Sequence, residues 1–254
     1  FHNVLCLSEA KGMDIKMNQL WKKFDRLSEE CCSNMISFDP NKDVWNRTFE
    51  VLVSAIEKER ETNPRFGREI DLVDDDLDYE VDVSGWLKDY TDELGMYHLY
   101  EKLYSVCDKL LALFEWKETS PANIKFQMAE ALSGQGKDRE AVEFCRKWIE
   151  EEKDGDEESA EVSELALIYA LIHAGEYPEA QEMVEKHLAG SEMCTEENER
   201  YWHAAVKLYE AMGDEKKAAW MKREEEKYEE MIFHQLADDF YDEDFPLEDD
   251  ELPF

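Results

Sequence analysis

"HAGEYPEAQEMV", residues 173–184, ends one helix and begins another within a few positions. Gly175 can take the left-handed backbone conformation that stops a helix without a Cβ clash. Pro178 suits a first helical position. Beyond it Ala180, Met183, Val184, His187 and Leu188 recur at helical spacing. Three more glycines stand in the same setting: "GMYHLY" from Gly95, "GKDREA" from Gly136 and "GDEKKA" from Gly213. The four glycines are 41, 39 and 38 residues apart. A period near 40 with a helix on each side of the glycine predicts stacked helical hairpins.

The flanks agree. Leu99, Leu103, Val106, Leu110 and Leu113 form one apolar stripe. Ala141, Ala180 and Ala218 fall on the first turn of each second helix, where a small side chain permits close approach. Tyr100 takes that place in the first copy, which predicts different packing there. Asp138 reads as the N-cap of one helix and Ser120-Pro121 as the start of another, carrying Ile124, Met128 and Leu132. Thr195 reads as the cap of the helix that holds Trp202, Ala205, Val206 and Tyr209.

Trp202, Ala205, Val206, Tyr209, Gly213 and Ala218 stand at the spacing of signature residues of the tetratricopeptide repeat, which this region resembles. Leu167, Leu171, Gly175, Tyr177 and Ala180, and Ala129, Leu132, Gly136 and Ala141, match it less fully. The usual unit has about 34 residues, so copies near 40 imply longer helices or loops. The likeness covers about Val83 to Tyr228. The stretch from Trp86 to Trp148 is also similar to the helical region of some bacterial proteins with a C-terminal SEC-C zinc motif. The dense cysteine cluster of that motif is absent.

The expected fold is therefore all-α, a superhelix of stacked antiparallel hairpins. Residues 84–234 make four tetratricopeptide-like hairpins. Residues 1–64 supply amphipathic capping helices, with stripes at Met17, Leu20, Trp21, Phe24, Leu27 and Cys31, and at Trp45, Phe49, Leu52 and Ile56. In 65–83, Leu77, Tyr79, Val81 and Val83 alternate with acids at strand spacing. That segment reads as an acidic extended linker, with an edge pairing to another chain or the start of the Trp86 helix as alternatives. Residues 235–254 read as a disordered acidic tail. Its Phe240, Tyr241, Phe245 and Phe254 are candidate anchors for a partner; a solubilising tail and internal docking are the other readings.

Sixty-four acids against 29 bases give a net charge of −35. Gln235–Phe254 and Glu69–Asp82 alone hold 17 acids and no base. Such a field repels nucleic-acid phosphates and anionic membranes and attracts basic surfaces within a Debye length, ~8–10 Å. Neither nucleic acid nor membrane is an expected partner. Six cysteines without a CxxC pair suit a reducing cytoplasm. Twelve Phe, 11 Tyr and 7 Trp suffice for a core. The chain begins at Phe1 without an initiator Met, so a preceding segment is an open expectation.

No catalytic or metal-binding constellation emerges, and neither cofactor nor enzymatic activity is expected. Asp74, Asp76 and Asp78 resemble the start of a calcium loop, but Tyr79 and Gly85 occupy positions that require Gly and Glu. HExxH and GxSxG are absent. If the repeat resemblance holds, the first helix of each hairpin lines a groove, with facing positions six and three residues before the glycine. These map to Asp89 and Asp92, Glu130 and Ser133, Tyr169 and Ile172, and Lys207 and Glu210; Phe126 and His173 face the same way. An acidic entrance beside an aromatic middle suits a basic or amphipathic peptide. The function expected is a non-enzymatic adaptor or scaffold for a protein or peptide. An acidic mimic that masks a basic surface, and an accessory repeat region of a longer protein, are its rivals.

Overall fold

The computed structural model describes residues 19–37, 43–152 and 157–242. Among them eleven α-helices follow one another and no strand occurs. They are α1 (Gln19–Ser37), α2 (Val44–Arg60), α3 (Leu72–Asp76), α4 (Val83–Met96), α5 (Tyr100–Leu113), α6 (Ala122–Gly134), α7 (Asp138–Glu151), α8 (Glu157–Ala174), α9 (Tyr177–His187), α10 (Glu199–Met212) and α11 (Glu215–Asp242). Sequential helices pack in pairs: α1 with α2, α6 with α7, α8 with α9 and α10 with α11.

One turn joins the helices of all four repeats. Gly136, Gly175 and Gly213 have φ of 73°, 74° and 76°. The next residue's N–H donates back across the turn, Lys137 to Leu132 O, Glu176 to Leu171 O and Asp214 to Tyr209 O, at 2.9–3.0 Å. This closes the helix end in the Schellman manner. In the first copy Leu99 N–H donates to Leu94 O at 2.8 Å, and the left-handed residue is His98, φ 56°. Gly95 is therefore not the turn glycine. It lies inside α4, and the true period runs from His98 through Gly136 and Gly175 to Gly213.

Leu103, 1% exposed, then takes the place of Ala141, Ala180 and Ala218. Tyr100 instead sets its ring where a Cβ on Gly134 would stand. Gly175→Ala should cost about 1 kcal/mol, because an L-residue is strained at this φ. Gly95→Ala should stabilise by about 0.8 kcal/mol, because its Cβ meets nothing within 4 Å and alanine is the better helix former. Chemical denaturation of the two variants measures both.

The helices form two compact units. The first holds α1–α4 with Lys109–Thr119; the second holds Tyr100–Asp108 and everything from Ser120 on. The division thus falls inside the first expected repeat rather than at residues 83/84, because α4 buries its aromatic face on α1 and α2. Trp86 meets Phe24 edge-on at 5.3 Å and stacks with Trp45 at 5.7 Å and Tyr90 at 5.2 Å. The Tyr90 hydroxyl donates to Asn46 Oδ1 at 2.7 Å.

Residues 65–83 are not an extended linker. Positive φ at Asp78 and Tyr79 breaks the strand-like alternation, and α3 forms within the segment. Its acids bind backbone. Asp74 accepts from the N–H groups of Val83 at 2.7 Å and Ser84 at 3.1 Å, and Asp82 from Gly85, so both hold the start of α4. Asp76 accepts from Gly67 N–H at 2.6 Å, and buried Glu69 from Lys117 N–H at 3.2 Å.

Glu93, 7% exposed, has no such service. Burial, with the charge of Asp89 second, raises its carboxyl pKa. An acid whose folded pKa lies above its unfolded value penalises the fold above that pKa, and the penalty vanishes as pH falls through it. Glu93→Gln should raise Tm at neutral pH, and the gain should disappear on acidification below the ordinary glutamate range.

In the second unit the three complete repeats stack. First helices α6, α8 and α10 adjoin in order, while α7 packs on α8 and α9 on α10. Ala141 and Ala180 are fully buried between them, with Trp148, Ile168, Leu171, Trp202 and Leu208 filling the core. Asn198, not Thr195, stands at the N-cap position of α10; its side chain accepts from Thr195 N–H at 2.9 Å, in the preceding turn, rather than from the helix. Asp138 is the first residue of α7 rather than its cap.

α11 runs on to Asp242, so residues 235–242 of the expected disordered tail are helical; the rest of it lies outside the described residues. No glycine or proline interrupts the sequence between Gly213 and Pro246. Phe240 and Tyr241 belong to this helix; Phe245 and Phe254 lie outside the described residues. Among the described residues no helix is long and apolar enough to cross a membrane.

Candidate functional site

Counting back from each turn glycine places two recurring positions on the open face of α6, α8 and α10. Six residues before it stand Glu130, Tyr169 and Lys207; ten before it stand Phe126, Leu165 and His203. The two positions are four residues apart, so on each helix they stand one turn apart on the same face. Stacking the three helices brings them together. Phe126, Glu130, Tyr169, His173, His203 and Lys207 all line one cavity of about 440 Å³.

Alanines make its floor. Ala129, Ala166 and Ala170 are 4%, 2% and 2% exposed, and each leaves room where a larger residue would fill the space. Phe126 and Tyr169 form the wall, edge to face with ring centroids 6.0 Å apart. Ser133 and Ile172 complete the end toward the turns. A second cavity of about 470 Å³ shares Phe126, Tyr169 and His203 and extends along the same face to Glu199, Arg200, Glu225 and Glu229. The two make one groove with an aromatic middle.

Burial of Tyr169, with the negative charges of Glu225 and then Glu130 adding to it, pushes its phenol pKa up to about 12. At physiological pH it is a neutral phenol. His203 Nδ1 lies 2.9 Å from Glu225 Oε1, which fixes the ring at the junction of the two cavities. The arrangement can hold an apolar side chain against the rings and a charged group at either rim. Among the described residues no group of three His, Cys, Asp or Glu side chains is placed to hold a metal ion.

Of the residues singled out from the sequence, Phe126, Glu130, Ser133, Tyr169, Ile172, His173 and Lys207 share this cavity. Glu210 is exposed and does not line it. Asp89 and Asp92 sit on α4, in the first unit. With His98 as the turn residue, Asp92 rather than Asp89 is the counterpart of Glu130, Tyr169 and Lys207. Sequence reasoning missed His203 and the alanine floor. The signal for His203 was its offset from Gly213, the same as that of Phe126 from Gly136.

No protein-family model matches the chain, and comparison with curated proteins and with solved structures returns no match.

Proposed function

We propose that this chain is a non-enzymatic adaptor with tetratricopeptide-like repeats, and that it holds a segment of a partner protein in the α6–α8–α10 groove. One observation carries the reading: equivalent positions of three consecutive repeats converge on a single alanine-floored cavity with an aromatic wall. Concave apolar sites with a few polar groups at the rim are where ligands bind. Aromatic side chains in such a setting dominate binding energy.

The test uses the full chain as bait in cells of its source. Tyr169→Ala and Phe126→Ala should each weaken the captured partner at least about tenfold, with far-UV circular dichroism unchanged. Lys207→Glu, on an exposed side chain, supplies a variant that leaves the core alone. A partner held equally by all three would put the interaction elsewhere on the molecule.

A further inference from the structure

The groove reading leaves the partner's chemistry open, and the charges around the two joined cavities narrow it. Four carboxylates, Glu130, Glu199, Glu225 and Glu229, line them against the cations Arg200 and Lys207. Three of the four acids stand together at the α10–α11 end. Glu225 comes from α11, a different repeat element from the Phe126 and Tyr169 rings, so the acidic end and the aromatic middle are joined only by the stacking. The same polarity is felt inside: Glu225 and Glu130 both act on the Tyr169 phenol. An anionic ligand would meet repulsion along most of this path, and a purely apolar one would leave the acidic end unmatched.

Resting on the groove reading, we infer that the occupant is a protein segment carrying one large apolar side chain next to a lysine or arginine. The apolar side chain enters the cavity of about 440 Å³ and packs against the Phe126–Tyr169 wall, above the alanine floor. The cation lies over Glu225 and Glu229 in the adjoining cavity. Charge complementarity at a rim sets which partner is accepted and how fast it docks more than how tightly it is held. Arginine fits the acidic end better than lysine, because its planar fork meets carboxylates bidentately and its face stacks on aromatic rings.

The experiment measures the full chain against four classes of short synthetic peptide by fluorescence anisotropy. One class carries Trp beside Arg, one Trp beside Glu, one Trp alone and one Arg alone. The Trp–Arg class should bind about tenfold more tightly than any other. Glu225→Gln with Glu229→Gln should erase that advantage and leave the weaker affinity for Trp alone. Glu229→Gln by itself, on an exposed side chain, should lower Trp–Arg affinity about threefold. Raising the salt until the Debye length falls to about 3 Å should narrow the same gap.

Equal binding of the Trp–Glu class, or a preference for Arg that survives both substitutions, would overturn the charge assignment while the groove reading stands. Binding of no class would overturn both. Binding that persists unchanged in Tyr169→Ala would move the occupant out of this groove.

Discussion

Trp202→Ala should lower the stability of the second unit by about 4 kcal/mol, the middle of the range for emptying a buried aromatic site. Trp202 is 1% exposed, and its ring stands 5.6 Å from that of Trp220 on α11. Its indole Nε1–H donates to Met221 O at 2.9 Å, a tie between α10 and α11 that no apolar side chain can make. Trp202→Phe retains part of the ring and loses the donor, so about 2 kcal/mol is expected. The consequence reaches the groove, because the next residue, His203, bridges its two cavities and Lys207 closes one end. Hydrogen exchange should show lost protection in α10 and α11 first. A Trp202→Ala protein that melts with the wild type would mean that the last hairpin is not held by this core.

Where the sequence reading succeeded and failed has a common physical cause. A left-handed helix stop favours glycine so strongly that Gly136, Gly175 and Gly213 mark their turns directly. His98 makes the same turn with a side chain, and nothing in its identity announces a positive φ. Gly95, three residues upstream, then drew the alignment out of register and put Asp89 where Asp92 belongs. Groove positions counted from true turn glycines share one cavity, Glu210 excepted; the pair counted from Gly95 lies in the other unit. His203 escaped notice because Phe126 at the same offset differs from it in chemistry, and periodicity alone does not record that equivalence.

The acidic segment failed for another reason. Leu77, Tyr79, Val81 and Val83 have the spacing of a strand, and only the two left-handed residues between Leu77 and Glu80 undo it. A carboxylate that caps a helix is indistinguishable in sequence from one that faces water. Here Glu69, Asp74, Asp76 and Asp82 all accept from backbone N–H groups. Half of the acids between Glu69 and Asp82 therefore serve the fold. Carboxylates so engaged are poorly placed to mask a basic surface on another protein, which shifts the weight of the charge argument to the groove rim.

Arg60→Ala is expected to cost the first unit about 3 kcal/mol. At the last position of α2, one guanidinium serves three carbonyls: Nε donates to Phe66 O at 2.9 Å, Nη1 to Leu113 O at 2.7 Å, and Nη2 to Gly67 O. It also lies 5.7 Å from the centre of the Phe114 ring. Burial draws its pKa down, with the charge of Arg68 adding to that, yet an arginine stays protonated. The fork thus joins the 61–67 turn to the end of α5, beside the backbone bond from Glu115 N–H to Arg68 O. Each bond from a charged donor is worth about 1.5–3 kcal/mol alone, but bonds that share one donor group do not add. Arg60→Lys should recover less than half of the loss, because an ammonium is a point donor and cannot span three carbonyls in one plane. Hydrogen exchange at Phe66, Gly67 and Glu115 reads the effect locally, and denaturation reads it globally. A lysine variant as stable as the wild type would mean that positive charge, not the geometry of the fork, holds this junction together.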